Sequence, residues 1–271
     1  MSSESAKQRL DKVLSSLGVD PKKSLGQNFL ISDNVIGKIL KATENFQFKN
    51  LLEIGPGAGA LTSLLINKDA NFKVIELDRV FSQYWRDQGL EVIEADALHV
   101  DWDKWNLPET LLVSNLPYQI SSSLVIDRSL DEAPLTGMVL MFQKEVAQRI
   151  RAEIRTEHYG MLSVIAQNFW EVAMVSEAGP GDFWPPPRVA SRVLSFKPKS
   201  VTGFDRNKFL KFVKQGFSQR RKLLRSNLSG ILSAEKRLQL DEWLLGQVQN
   251  PQARAEELSP DMWRRLFLEM S

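Results

Sequence analysis

Leu51-Leu52-Glu53-Ile54-Gly55-Pro56-Gly57-Ala58-Gly59-Ala60 is the stretch on which the fold turns. A short, mostly apolar run leads into a glycine-rich turn, and Leu61, Leu64 and Leu65 follow at helical spacing. Gly55, Gly57 and Ala60 fit the pattern G-x-G-x-x-G/A between a strand and a helix. Glycines there allow a tight turn and the close approach of a ligand to the backbone. The acid this pattern requires stands about 20 residues further on. It is Glu76, near the end of the apolar run 72–77, where a carboxylate can bind both hydroxyls of a ribose.

Outward from this stretch, strand and helix signals alternate. Strand-like runs cover 51–54, 72–77, 91–95, 111–114, 137–142, 172–175 and 192–196, and most are separated by segments of helical period. Such alternation predicts an α/β fold with a doubly wound, Rossmann-like, mostly parallel sheet. The last strands have no long helix between them, only the turn-rich stretch Gly179-Pro180-Gly181 to Pro185-Pro186-Pro187, so an antiparallel edge is expected. Upstream, the first ~20 residues read as a short helix or loose arm, and Ser32 or Asp33 is placed to cap a helix bearing Val35, Ile36, Ile39 and Leu40. After Lys199 the strand signals stop, and 205–217, 219–229, 234–246 and 260–269 read as helices. The expected division is a domain over 1–200, with an N-terminal arm over 1–31, and a small all-helical domain over 201–271.

Composition narrows the chemistry. The chain has 271 residues, 43% hydrophobic and 25% charged, as in an ordinary globular protein. It has no Cys, which excludes disulfides, thiolate metal sites and Cys nucleophiles. The two histidines, His99 and His158, lie far apart, and no metal site is expected. No apolar run reaches the length of a membrane span, and the N-terminus lacks a secretory pattern, so a cytoplasmic protein is the simplest reading. Net charge is only +2, yet residues 188–225 hold twelve Lys and Arg against one acid, Asp205. Most charge runs are solvated helix faces. This one is dense and one-signed enough to suggest a phosphate backbone as partner.

The dinucleotide geometry would serve NAD as well. Glu53 before the glycines, Pro56 removing an N–H from a would-be pyrophosphate cradle, and Asp96 at the end of the third strand favour S-adenosylmethionine. Asp96 is placed to accept a hydrogen from the adenine amine of that cofactor. A second chemistry-bearing tetrad, Asn115-Leu116-Pro117-Tyr118, follows the apolar run 111–113. An Asn oxygen accepts from an exocyclic amine, the proline leaves a carbonyl-rich backbone, and a Tyr ring can stack on a base.

Together these stretches resemble the KsgA-type family of small-subunit ribosomal RNA adenine dimethyltransferases. The likeness rests on Leu25-Gly26-Gln27-Asn28-Phe29-Leu30, residues 53–57, Glu76-Leu77-Asp78, Asp96-Ala97, residues 115–118 with Ile120-Ser121, Gln143-Lys144-Glu145-Val146, Tyr159-Gly160, Phe183 with Pro185-Pro186-Pro187, and Gln219-Arg220-Arg221-Lys222, with Arg254-Ala255-Glu256 beyond. The resemblance implies methyl transfer from S-adenosylmethionine to N6 of adenines in small-subunit ribosomal RNA, with two adjacent adenines dimethylated during ribosome biogenesis. It implies cofactor contacts by Asn28, Leu30, Gly55, Glu76, Asp96 and Asn115, and a target adenine held between Tyr118 and Phe183. The sequence departs from the family at Ala58 and Ala60, where larger residues are frequent, and at Trp184, where Thr is often found.

Adenine N6 is a poor nucleophile because its lone pair is delocalised into the ring. Asn115 Oδ1 and the Leu116 carbonyl are expected to accept its two hydrogens and draw the nitrogen toward a tetrahedral shape, with no strong base required. Tyr118 and Phe183 would stack on the extruded base. Arg220, Arg221, Lys222 and Arg225, with Lys22, Lys23 and Arg188, are the expected phosphate contacts. The partner is then the small ribosomal subunit and its RNA, met by a monomer, with no membrane involved. A large-subunit ribosomal RNA adenine methyltransferase of the antibiotic-resistance type shares this fold and chemistry, and a non-catalytic nucleic-acid-binding protein could be built on the same frame.

Overall fold

A computed structural model describes residues 4–22, 26–68, 70–105, 107–132 and 135–271. The chain runs α1 (Ala6–Leu17), β1 (Phe29–Leu30), α2 (Asp33–Thr43), β2 (Asn50–Ile54), α3 (Thr62–Leu65), β3 (Asn71–Glu76), α4 (Arg79–Asp87), β4 (Glu91–Glu94), α5 (Trp102–Trp105), β5 (Thr110–Asn115) and α6 (Ser121–Leu130). It continues through β6 (Gly137–Gln143), α7 (Lys144–Ile150), α8 (Met161–Phe169), β7 (Trp170–Ala178), β8 (Phe183–Trp184) and β9 (Ser191–Pro198) to four helices, α9 (Arg206–Gly216), α10 (Leu224–Leu228), α11 (Ala234–Val248) and α12 (Pro260–Met270).

Seven strands form one sheet in the order β4-β3-β2-β5-β6-β9-β7. The pairs from β4 to β6 are parallel, and β9 runs antiparallel to β6, with Met138 opposite Phe196 and Gln143 opposite Ser191. Leu111, Leu112, Val113, Met138, Val139 and Leu140 have no exposed surface. Such continuous apolar runs, with no polar alternation, belong to strands covered on both faces. The chain steps from β2 outward to β3 and β4, then returns to place β5 on the other side of β2. That reversal opens a crevice beyond the carboxyl ends of β2 and β5, where ligands bind in sheets of this kind.

The N-terminal segment is more ordered than its sequence suggests. Ser5 and Gln8 form a capping box at the start of α1, and Gly18, in the left-handed region, ends it. Asp33 does not cap its own helix: its carboxylate accepts from the Ala6 N–H at 3.1 and 3.2 Å, at the first turn of α1. A two-stranded antiparallel ladder then sets Phe29 opposite Trp184 and Leu30 opposite Phe183. The Ile31 N–H donates to the Asp182 carbonyl at 2.8 Å and extends the ladder. Strands of two residues have no period, so β1 and β8 are invisible to sequence pattern.

Compactness divides the chain into one unit of Met1–Ala147 with Val172–Pro198 and another of Gln148–Glu171 with Lys199–Ser271. The division after Pro198 lies next to the expected boundary at residue 200, and Gln148–Glu171 groups with the C-terminal helices because it shares a core with them. Phe169 of α8 meets Phe204 and Phe209, each at 6.2 Å between ring centres. The Asn168 amide donates to the Pro260 carbonyl at 2.9 Å, and the Tyr159 hydroxyl to that of Leu258 at 2.7 Å. Trp263 stacks on Phe217 at 5.3 Å and fills the space left by Gly216, whose Cβ would fall 2.2 Å from the indole. The helix expected over 219–229 starts only at Leu224. Leu223 is held extended by a bridge to Arg254, and the Leu224 N–H donates to the Ala253 carbonyl, so 219–222 form a turn.

Candidate active site

The crevice is a cavity of about 290 Å³. Its walls come from the segment before and within β1, the glycine loop after β2, and the ends of β3, β4 and β5. Asn28, Leu30, Gly55, Gly57, Glu76, Asp96, Asn115, Leu116 and Tyr118, all marked as site residues by the sequence, line this one space. Glu53 and Gln119 line it too.

The loop has its shape because its glycines cannot be replaced cheaply. Gly55, Gly57 and Gly59 have φ of 65°, 51° and 87°. A Cβ on Gly59 would sit 2.4 Å from the Trp85 ring, and one on Gly57 would sit 2.9 Å from Phe29. Trp85 also donates its indole N–H to the Gly57 carbonyl at 2.8 Å, so α4 braces the loop from behind. Ser114 Oγ donates to the Ile54 carbonyl at 2.5 Å, joining the ends of β2 and β5. The Pro117 ring lies where a Cβ on Gly55 would make ordinary contact, at 3.5 Å. Glycine loop and tetrad are thus one packed unit.

Glu76 is 7% exposed. Its Oε2 accepts from the Gly57 N–H at 2.9 Å and its Oε1 from the Asp78 N–H at 2.8 Å. Burial raises its pKa above the usual carboxylate range, and these two N–H donors oppose that rise. Asp96 accepts from the Leu98 N–H at 2.9 Å through Oδ1, and its Oδ2 lies 3.1 Å from His99 Nδ1. Glu53 is 2% exposed, and the polar side chain beside it is the Thr62 hydroxyl on α3. Burial pushes Glu53 up to about 8; the nearby Thr62 hydroxyl tempers the rise and the Glu76 charge adds to it. Among the described residues, the lining therefore holds three carboxyl groups and no Lys, Arg or His. A pyrophosphate has no positive partner there, whereas a cationic ligand bearing hydroxyls and an amine has several acceptors.

On the opposite wall the Asn115 Nδ2 donates to the Asn28 carbonyl at 3.3 Å, which directs Oδ1 away as an acceptor. Burial raises the pKa of Tyr118, and its hydroxyl is paired with Ser191 Oγ at 2.8 Å. Leu77 lines the cavity and is 54% exposed.

Other expected site residues stand elsewhere. Phe183 is 2% exposed, packs in the core with Leu30, Ala178 and Val193, and is absent from the cavity lining. Its pairing with Leu30 in the small ladder explains this placement. Lys22 donates to Asp78 Oδ2 at 2.8 Å, and Asp78, 4% exposed, also takes a hydrogen from Gln27 at 3.1 Å. Asp78 therefore ties the segment before β1 to the start of α4, a role its position after Glu76-Leu77 hinted at but did not define. Lys23 lies outside the described residues. Arg188 is exposed. In the second unit, Arg220 bonds to Glu256 and to the Thr156 carbonyl, both at 2.9 Å, and Arg225 pairs with Asp241 at 2.7 Å. Arg221 and Lys222 are exposed on the turn before α10.

Comparison with known proteins follows the same lines. The family model described as ribosomal RNA adenine dimethylase matches residues 19–271. The ribosomal RNA small subunit methyltransferase A of Bdellovibrio bacteriovorus is 50% identical over 265 residues, 97% of each chain. That of Desulfitobacterium hafniense is 39% identical over 251 residues, 90% of each. Among solved structures, a dimethyladenosine transferase from Plasmodium falciparum superposes with a TM-score of 0.74 at 24% identity, over 89% of this chain and 96% of its own. The 23S ribosomal RNA methyltransferase ErmE gives 0.66 at 25% identity, over 90% and 99%.

Proposed function

The chain belongs to the ribosomal RNA adenine dimethylase family, and on that premise we propose that it moves methyl groups from S-adenosylmethionine to N6 of adenines in small-subunit ribosomal RNA, two adjacent adenines each being methylated twice. The observation that carries this reading is one cavity shared by a glycine loop, three carboxyl groups and the Asn115-Leu116-Pro117-Tyr118 tetrad.

The residues fit that methyl donor. Gly55 and Gly57 leave backbone space, Glu76 and Asp96 supply acceptors for ribose hydroxyls and an adenine amine, and among the described residues no cation on the lining repels a sulfonium. When bound, the donor supplies an electrophilic methyl group. The protein supplies geometry: Asn115 Oδ1 and the Leu116 carbonyl accept the two hydrogens of the target amine, which localises the nitrogen lone pair and aims it. Tyr118 offers one stacking face to an extruded base, worth about 1–3 kcal/mol. Phe183, the other expected ring, is buried and does not line the cavity. The phenol stays neutral near pH 7, and no His lines the cavity among the described residues, so positioning rather than a general base carries the step.

RNA affinity is assigned to exposed cations of the second unit, Arg221 and Lys222 with Lys211 and Lys214 on α9. Arg220 and Arg225 are exposed too, each in a surface ion pair, with Glu256 and Asp241.

The test is tritiated methyl transfer to small ribosomal subunits from cells lacking the modification, with large subunits alongside. Asn115→Ala should abolish transfer while circular dichroism and RNA binding persist. Full activity in that variant would sink the mechanism, and transfer to large subunits alone would move the protein to the antibiotic-resistance branch.

A further inference from the structure

The cavity wall made by Ala95, Asp96 and Ala97 follows β4, the edge strand of the sheet, whose residues are exposed or half-buried. Beyond β4 the Ala95 N–H still reaches the Glu76 carbonyl, at 3.2 Å. Asp96 then closes a local turn: its Oδ1 accepts from the Leu98 N–H and its carbonyl from the His99 N–H, both at 2.9 Å. These bonds fix the carboxylate within the turn; where the turn stands against the cavity is a separate matter. Ala97 is only 4% exposed despite its place at the sheet edge. Trp102, the first residue of α5, donates its indole N–H to the Ala97 carbonyl at 3.0 Å. The Arg128 guanidinium of α6 lies over the Trp102 ring, 3.7 Å from its centre. Arg128 is 4% exposed and pairs with Asp131 at 2.8 Å. A planar guanidinium stacked so closely fixes the plane of an indole, and with it the direction of the indole N–H. α6 begins at Ser121, whose hydroxyl donates to the Tyr118 carbonyl at 2.9 Å. The Asp96 wall is thus braced from the helix that follows the tetrad.

We propose that Trp102 is a positioning residue for nucleoside selectivity: clamped by Arg128, it holds the Ala97 carbonyl and so sets where the Asp96 carboxylate meets a 6-amino group. This rests on the reading that Asp96 accepts from the adenine amine of S-adenosylmethionine. Trp102 stands outside the cavity lining, so it acts through the 95–97 segment and not on the ligand. Selectivity depends on that placement. A 6-amino group donates to a carboxylate, whereas a 6-oxo group turns an acceptor toward it and carries its hydrogen on N1 instead. A site built to accept from the amine therefore rejects the 6-oxo base while the carboxylate stays in place. A turn free to shift weakens the bond to the amine and lets the carboxylate reach the N1 hydrogen. Both changes erode the preference for adenine.

The experiment is calorimetric titration of the full chain with S-adenosylhomocysteine and S-inosylhomocysteine, which differ only in the 6-substituent and its N1 hydrogen. The wild type should prefer the adenine ligand by at least about tenfold. Trp102→Phe keeps an aromatic ring beneath Arg128 and lacks the N–H. Its preference should fall about 3- to 10-fold, with affinity for the 6-oxo ligand held or improved. Benzothienylalanine introduced at position 102 alone keeps the bicyclic ring and puts sulfur where the N–H stood. It should show the same loss, and it decides the matter even should Trp102→Phe fail to fold. Asp96→Asn offers the base a donor as well as an acceptor and should nearly abolish the preference. An unchanged preference in both position-102 proteins, or equal weakening of both ligands, would leave Trp102 a purely structural role and overturn the proposal. With Asp96→Asn losing the preference, the methyltransferase reading would stand. Preference that persists in Asp96→Asn, or is missing from the wild type, would remove Asp96 from the amine and overturn the proposal with it. Failure of the wild type to bind S-adenosylhomocysteine would overturn the methyltransferase reading too.

Discussion

Tyr118 Oη and Ser191 Oγ lie 2.8 Å apart, joining the tetrad after β5 to the first residue of β9 across 73 positions of sequence. Ser191 has no exposed surface, so its hydroxyl is a fixed point, and the phenol bonded to it holds the Tyr118 ring at one angle to the cavity.

Removing either partner should loosen that ring. Tyr118→Phe and Ser191→Ala should each lower methyl transfer by about 2- to 10-fold, the value of one neutral hydrogen bond. The double variant should lose no more than either single one, because both remove the same bond. Tyr118→Ala, which also removes the stacking face, should lose more. Additive losses in steady-state transfer kinetics would show that Ser191 acts by another route.

Phe183 should behave as a core residue. Phe183→Ala should cost about 3–5 kcal/mol in denaturant unfolding. Phe183→Leu should keep most of the stability and most of the transfer activity. A stable Phe183→Leu protein with transfer lost would place the ring on the substrate.

The raised Glu53 pKa makes stability fall with pH. Its unfolded value is 4.5 and its folded value about 8, so the folded state binds the proton more tightly. The contribution is complete below 4.5 and is lost progressively as pH rises toward 8. Glu53→Gln cannot ionise and should flatten this slope, gaining on the wild type by a few kcal/mol between pH 5 and about 8. Unfolding midpoints measured for both proteins at several pH values test this; parallel curves would contradict it.

Arginines of the second unit should separate by role. Arg221→Ala and Lys222→Ala should weaken RNA binding and each lower the salt slope by about 1, with little change in unfolding. Arg220→Ala breaks bonds to Glu256 and to the Thr156 carbonyl and should lower the unfolding midpoint as well. Filter binding across a salt series, with thermal unfolding beside it, distinguishes them.

Much of this was legible in the residues. The glycine loop, the acids at Glu76 and Asp96, and the tetrad after residue 114 each mark a strand end, and parallel strands bring their carboxyl ends together at one edge. The central strands β5 and β6 follow from apolar runs that stay apolar because both faces are covered. The small ladder of Leu30 with Phe183 was not legible, since two-residue strands have no period. Nor were the partnerships of Asp33 with Ala6 and of Asp78 with Lys22, because each joins a carboxylate to a group remote in sequence.

The sequence by itself determined the sheet, the glycine loop and the chemistry of the tetrad, because hydrophobic period and glycine conformation are local properties. Only the tertiary structure decided which of the marked residues line the cavity and which are buried or paired elsewhere. It placed Phe183 in the core, engaged Arg220 and Arg225 with acids, and enclosed Glu53 at the cavity wall beside the Thr62 hydroxyl. The physical reason is that burial and pairing depend on what the rest of the chain brings alongside, and no local pattern records that.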